Sequence, residues 1–209
     1  MTLPETFETD RLLFKPATPE HVDVHELYHI LSADQGIGYV TEWVVWQPHT
    51  DLEQTMDLLG EYKQKWESRD RVTYVMYTKA SEQDGGEIAG TTNIRIDWDQ
   101  RRGRIGVWFR KKYWGRGYSG ERAGALLELA FRVLDLDIVV VSHIPGNEKS
   151  ETAVARYVDR FNGQKEGYIR NGLAGDDGSV YDQVQYSISA SEWRTAVGGE
   201  TSIFDNHMD

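Results

Sequence analysis

Residues 111 to 121 read Lys-Lys-Tyr-Trp-Gly-Arg-Gly-Tyr-Ser-Gly-Glu, with glycines at 115, 117 and 120 between a strand pattern and a helix pattern. Upstream, Ile105, Val107 and Phe109 alternate as in a half-buried strand. Downstream, Ala123, Leu126, Leu127, Ala130, Phe131 and Leu134 recur at helical spacing. A glycine-rich turn that opens a helix exposes N–H groups with no acceptor inside the helix. With the positive end of the helix dipole, those donors make a seat for phosphate. Glycine at 115, 117 and 120 lets the backbone approach a ligand with no Cβ in the way. The same pattern also suits a tight turn that binds nothing, since short glycine motifs recur by chance. There is no Gly-Lys-Ser/Thr, so this is not a Walker loop. The spacing does satisfy G-x-G-x-x-G, and Asp135 and Asp137 stand about where a ribose-binding acid would. The mid-chain position, after several strands joined by short turns, counts against a dinucleotide site without removing it.

Other residues invite chemical readings. His25-Glu26-Leu27-Tyr28-His29 is a formal H-E-x-x-H, which in metalloproteases sets two imidazoles on one helix face with the glutamate as base. No third-ligand motif follows. The pair sits beside an apolar stripe of Val24, Leu27, Tyr28 and Leu31 and reads as a solvated flank that His21 continues, so no metal is expected. Asn147-Glu148-Lys149-Ser150 sets an amide at a helix start and a hydroxyl in its first turn, which is either a cap or a binding pair. Asp182 shares a strand face with Val180, Val184, Tyr186 and Ile188, where a carboxylate needs partners. It reads as structural, with a functional role as the rival.

The elements that must hold these residues follow from the pattern. Arg11 to Lys15 reads as a first strand. Thr18-Pro19-Glu20 reads as a helix start, with Thr18 as cap. Gly36 and Gly38 end that helix, and 39–50, with Trp43, Trp46 and Pro48, reads as an aromatic loop. Thr50-Asp51-Leu52-Glu53 reads as a capping box opening a helix with Leu52, Met56, Leu59, Tyr62 and Trp66 on one face. Strand patterns follow at Val72–Met76, at Ile94–Trp98 and in the run ending at Arg110, with Asp84-Gly85-Gly86 and residues 99–103 as turns. Ile138–Val141 is a buried strand. A helix then carries Ser150, Ala153, Val154, Tyr157 and Phe161. Two last strands meet at a turn of Asp176-Asp177-Gly178. Residues 198–209 read as a frayed, flexible tail, and no repeat or linker divides 1–197, which reads as one domain.

Composition bounds the function. The chain has 209 residues, no cysteine and a net charge of -11. Absent cysteine excludes disulfides and thiol catalysis and suits a cytoplasmic protein. No segment approaches a membrane span, and the first residues lack the basic and apolar regions of a signal peptide. The charge argues against nucleic acid and anionic membranes and favours cationic partners. An acidic surface selected for solubility, as in salt adaptation, explains it equally well.

Tyr113-Trp114-Gly115-Arg116-Gly117-Tyr118 resembles the acetyl-CoA pyrophosphate loop of the GCN5-related N-acetyltransferases (GNAT), in particular the RimJ/RimL branch that acetylates ribosomal-protein N-termini. Thr9 to Pro16 resembles that branch's opening strand. Asn147 to Ser150 resembles its N-x-x-S element, and Glu166–Arg170 and Tyr181–Tyr186 its last two strands. The likeness runs from about residue 8 to 190. It implies an α+β fold, a largely antiparallel mixed sheet of about seven strands with about four helices and a V-shaped splay between strands four and five.

The resemblance also implies roles. The backbone of Val107, Trp108 and Phe109 would pair with pantetheine. Gly115, Arg116, Gly117, Tyr118, Ser119 and Gly120 would hold the pyrophosphate, while Lys112 departs from the Gln/Arg that usually opens the motif. Asn147 would bond the cofactor amide, and Ser150 would serve the sulfur as proton donor. The tyrosine acid many members carry four residues after that serine is Val154 here, with Tyr157 one turn on. The branch's glutamate base falls at Leu173, so no base is identified. The function implied is acetyl transfer from acetyl-CoA to a primary amine, most naturally a protein N-terminal α-amine. The alternatives are a small amine such as an antibiotic or polyamine, a non-catalytic CoA-binding or interaction domain and, more distantly, a metallohydrolase. Oligomeric state, monomer or homodimer, is left open.

Overall fold

The structure is a computed structural model that describes residues 3–175, 178–199 and 202–204. Asp176 and Asp177 of the expected hairpin turn lie outside the described residues. The chain divides into two compact units whose segments alternate along it: Pro4–Arg95 with Val107–Tyr118, and Ile96–Gly106 with the chain from Ser119 onward.

In the first unit, β1 (Phe7–Glu8), β2 (Leu12–Pro16), β3 (Arg71–Thr78) and β4 (Ile88–Asp97) lie side by side in chain order, and β1–β2, β2–β3 and β3–β4 pair antiparallel. β3 is buried on both faces from Val72 to Met76, which the alternation of Val72, Tyr74 and Met76 did not reveal. Helices α1 (Val24–Ala33), α2 (Ile37–Thr41) and α3 (Leu52–Ser68) supply Leu27, Ile30, Leu31, Val40 and Leu59 to a core that also holds Val75, Ile88 and Trp108.

Local competition moves three helix features. α1 starts at Val24 because the Asp23 carboxylate accepts from the N–H groups of His25 and Glu26, so the expected cap Thr18 instead closes a separate turn with His21. α3 is capped by Asp51, which accepts from Gln54 N–H while the Gln54 side chain accepts from Thr50 N–H, one residue later than the expected box. Thr55, rather than Met56, faces inward, where its hydroxyl meets His49 Nδ1 at 2.7 Å; Met56 is exposed. The loop at 39–50 is shorter than expected, since α2 extends to Thr41 after the left-handed Gly36.

The second unit orders β5 (Arg102–Phe109), β6 (Ile138–His143), β8 (Val180–Ser189) and β7 (Gln164–Ala174), with β5–β6 parallel and the other pairs antiparallel. The last three residues of β5, Val107–Phe109, belong to the first unit. The β5–β6 ladder pairs Arg102 with Ile138, Gly103 with Val139 and Arg104 with Val140. α4 (Tyr118–Glu128) runs on through a π turn, Leu129–Val133, and is followed by α5 (Glu148–Arg160) and α6 (Ala190–Val197).

The fold is the expected mixed α+β class, with eight strands and six helices among the described residues in place of about seven and four. The additions are short: β1 has two residues and α2 five, and α6 opens on a capping box of Ser189 and Glu192. Within the stretch read as a frayed tail, Ser202 and Phe204 are buried and Ile203 N–H donates to Glu128 at 3.0 Å.

Candidate functional site

The candidate residues divide between the units. In the first, β5 ends with Val107 half-buried and Trp108 and Phe109 buried. The Trp108 indole meets Trp46 edge-on at 5.5 Å. Gly90 is required on β4 because a Cβ there would sit 2.1 Å from the Trp108 carbonyl oxygen. The Phe109 carbonyl already accepts from the Trp114 indole N–H at 2.9 Å, which removes one of the acceptors expected to pair with pantetheine.

Past Arg110 the chain makes a single 3-10 turn, Lys111–Tyr113, and then needs left-handed backbone at Gly115 (φ 78°) and Gly117 (φ 83°) before α4 begins. Gly120 is different: it lies in α4 without positive φ. A Cβ at Gly115 or Gly120 would meet nothing within 4 Å, and one at Gly117 only Arg11 Nη2 at 3.4 Å, so packing alone does not require glycine at these positions. Among the described residues, no acceptor outside the helix takes the N–H groups of residues 115–120. Open space and unclaimed donors at a helix start are what an anion seat needs.

The side chains of this turn are held from beneath. Arg11 donates to the Arg116 carbonyl at 2.8 Å and stacks on the Tyr118 ring. The turn between β3 and β4 brings three carboxylates. Glu82 accepts from the Tyr118 hydroxyl, and Asp84 from Arg116 at 3.1 Å. Glu87 accepts from Lys112 and from Arg110, which also pairs with Asp34 at 2.6 Å. The Lys112 ammonium, first among these contacts, holds the Glu87 carboxyl below its usual range.

In the second unit Ser119 and Gly120 form the first turn of α4, and Asn147 and Ser150 lie at the start of α5. Asn147 is the N-cap: its Oδ1 accepts from Ser150 N–H at 3.0 Å, leaving its amide N–H groups without an acceptor among the described residues. One end of the side chain therefore caps while the other can donate. The Ser150 side chain is half-buried. Val154 is 4% exposed and packs as core, so the missing tyrosine leaves no gap.

Tyr157 is 2% exposed and its hydroxyl makes no hydrogen bond of good geometry among the described residues; its charged neighbour is Arg122, 1% exposed, whose guanidinium lies 6.0 Å from the Tyr157 ring centre. Burial pushes the Tyr157 hydroxyl up and pulls Arg122 down. Leu173 pairs with Tyr181 in the β7–β8 ladder. Asp182 accepts from the Tyr168 hydroxyl and from Asn171 N–H at 2.8 Å, and these bonds, in that order, hold its carboxyl low. Both its oxygens are engaged within the hairpin, as a structural carboxylate's would be. His25 and His29 are exposed on α1, and no group of three or more His, Cys, Asp or Glu suited to a metal ion occurs among the described residues.

A model of the acetyltransferase (GNAT) domain matches residues 11–157. The chain belongs to the GNAT acetyltransferase family. It is 31% identical over 109 residues to YdaF of Bacillus subtilis, a protein named for ribosomal N-acetylation; the match covers 52% of this chain and 57% of YdaF. Two solved structures share the fold. One is a ribosomal-protein-S5-alanine acetyltransferase of Vibrio fischeri (TM-score 0.72, 18% identity, 90% of this chain and 98% of that one). The other is RimL, a ribosomal L7/L12 α-N-protein acetyltransferase in complex with coenzyme A (0.70, 18%, 90% and 97%).

GNAT proteins use acetyl-CoA. The residues of this GNAT chain fit the phosphate end of that molecule: a left-handed glycine pair, open space where a Cβ at Gly115 or Gly120 would stand, and N–H groups left open among the described residues where α4 starts. Sequence reading missed Arg11, Glu82, Asp84 and Glu87. They lie far from the loop in sequence, and only the meander of β2, β3 and β4 brings them to it.

Proposed function

We propose that the protein is an acetyl-CoA-dependent N-acetyltransferase whose acceptor is a protein N-terminal α-amine of the ribosomal-protein type. The carrying observation is the open row of N–H groups from Gly115 to Gly120 at the start of α4. The acceptor class draws its support from YdaF, the Vibrio fischeri enzyme and RimL, each named for a ribosomal or ribosomal-protein target.

The cosubstrate supplies an activated thioester. The amine nitrogen forms a bond to the acyl carbon as the carbon–sulfur bond breaks; the amine loses a proton and the departing sulfur gains one. The chain's part is to hold and orient the thioester and to move those protons. The N–H groups at Gly115 to Gly120 and the Val107 backbone are assigned to binding, and the Asn147 amide N–H groups to the pantetheine amide. The Ser150 hydroxyl, in the first turn of α5, is assigned to protonate the sulfur. No carboxylate is assigned as base, since Leu173 stands at the branch's glutamate position and both oxygens of Asp182 are engaged.

A second reading, a CoA-binding domain without catalysis, draws on Val154 being core and on Leu173. Release of free thiol from acetyl-CoA in the presence of N-terminal ribosomal-protein peptides, polyamines and aminoglycosides separates the readings. Turnover with peptides is expected. Turnover confined to the small amines replaces the acceptor, and tight acetyl-CoA binding with no turnover on any member of the panel supports the second reading.

A further inference from the structure

Three cations at the phosphate loop already have carboxylate partners in this structure: Arg110 has Asp34 and Glu87, Lys112 has Glu87, and Arg116 has Asp84, while the Lys111 ammonium lies over the Tyr39 ring. The Arg116 pair stands apart because Arg116 lies between Gly115 and Gly117, the two left-handed residues that shape the seat. Its partner is fixed in place. The turn carrying Asp84 is closed by Gly86 N–H to the Thr78 carbonyl at 2.7 Å and Thr78 N–H to the Glu87 carbonyl at 3.0 Å, and the Thr78 hydroxyl donates to the Asp84 carbonyl. Gly85 packs so tightly that a Cβ would lie 2.7 Å from Ala80 Cα. Asp84 is thus presented by a rigid backbone. Its carboxylate takes Arg116 alone among the described residues.

We propose that Asp84 is a built-in substitute anion: it holds Arg116 while the seat is empty and competes with the phosphate groups of acetyl-CoA for the same guanidinium. This rests on the reading of Gly115–Gly120 as the phosphate seat. A guanidinium serves carboxylate and phosphate through the same fork of donors, so one can replace the other. The exchange sacrifices an ion pair whose side chains are 33% and 27% exposed, so water and salt screen it and its worth is small. The carboxylate therefore lowers affinity without abolishing it. It also keeps a bare positive charge from standing at the loop when no cofactor is bound.

Titration calorimetry of the intact chain with acetyl-CoA tests this. Asp84→Asn keeps the size and backbone bonds of the residue and removes the competing charge. It should tighten acetyl-CoA by about 1.5- to 5-fold, the worth of one screened pair. It should also make affinity fall more steeply with added salt, since one more uncompensated cation faces the phosphates. On an Arg116→Gln background the same change should give no tightening. Asp84→Ser is a second probe with the same expected signs. Unchanged or weaker binding in either Asp84 variant overturns the proposal, as does equal tightening without Arg116. Absence of acetyl-CoA binding by the parent chain overturns the phosphate-seat reading and this inference with it.

Discussion

Gly117→Val tests the seat with a magnitude the backbone supplies. At φ 83° an L residue is in the left-handed region, and its Cβ would meet only Arg11 Nη2, at 3.4 Å. The folded state therefore loses little to packing and mainly bears conformational strain. Left-handed backbone costs an L side chain about 1–2 kcal/mol, and a branched Cβ takes the total toward about 3. At roughly 2–4 °C per kcal/mol for a chain of this size, the melting temperature should fall by about 2–12 °C.

Binding should suffer separately, because the branched side chain stands over the N–H groups that phosphate must reach. An affinity loss of at least about tenfold, or about 1.4 kcal/mol, is expected. Gly198→Val is the matched control: Gly198 is left-handed at φ 58°, also has open space around its Cβ, and ends α6 away from the seat in sequence. It should lower the melting temperature in the same range and leave acetyl-CoA affinity unchanged. The assay pairs calorimetric affinity with thermal melting at saturating acetyl-CoA, which should stabilise the parent by about 2.7 kcal/mol at a hundredfold excess over Kd. A folded Gly117→Val that binds acetyl-CoA like the parent refutes the seat.

Three further outcomes follow from the second unit. Ser150→Ala should lower kcat by roughly 10- to 100-fold, the low end for one positioned proton donor, with acetyl-CoA affinity nearly intact; steady-state kinetics beside calorimetry reads both, and parent-like kcat removes the assignment. Asp182→Asn should leave kcat/KM within a few fold, whereas a folded variant down by more than about a thousandfold would make Asp182 the base. Because the Tyr168 hydroxyl holds the Asp182 carboxyl low, its contribution to stability is present above the unfolded aspartate value of about 3.9 and is lost as pH falls through the folded value. A denaturant series across that range should show the acid-side loss shrinking in the Asn variant. Tyr157→Phe deletes a buried hydroxyl that makes no hydrogen bond of good geometry among the described residues, although Arg122 lies beside its ring, and should be close to neutral in chemical denaturation, with kcat unchanged; a large fall in kcat would give Tyr157 the acid role absent at Val154.

The candidate site was legible in part. The glycine loop, the Asn147 cap and the strand into Phe109 are local arrangements, written in residues a few positions apart, and sequence reading reached all three. The identity of the loop's partners was not legible. Nothing near Arg116 in the chain announces Asp84, which is 32 positions away. The open carbonyl expected at Phe109 is closed by Trp114, only five residues on, because the loop folds its indole back onto β5.

The sequence alone determined what depends on period and punctuation: the order of the long elements, the helix after the glycine turn and the buried β6, while the α+β class came with the resemblance carried by its motifs. One more element was available to it, since Ser189-x-x-Glu192 marks the start of α6. Tertiary structure decided which of several adequate local choices won. Thr18 and Asp23 are both good caps, and the chain uses Asp23 where α1 begins; Met56 and Thr55 both suit α3, and the hydroxyl beside His49 turns inward. The double burial of β3 and the need for Gly90 against the Trp108 carbonyl arise only when neighbouring strands are in place. Propensity and hydrophobic period act within a turn or two of the chain, whereas close approach, burial and ion pairing depend on residues that folding brings together from far apart.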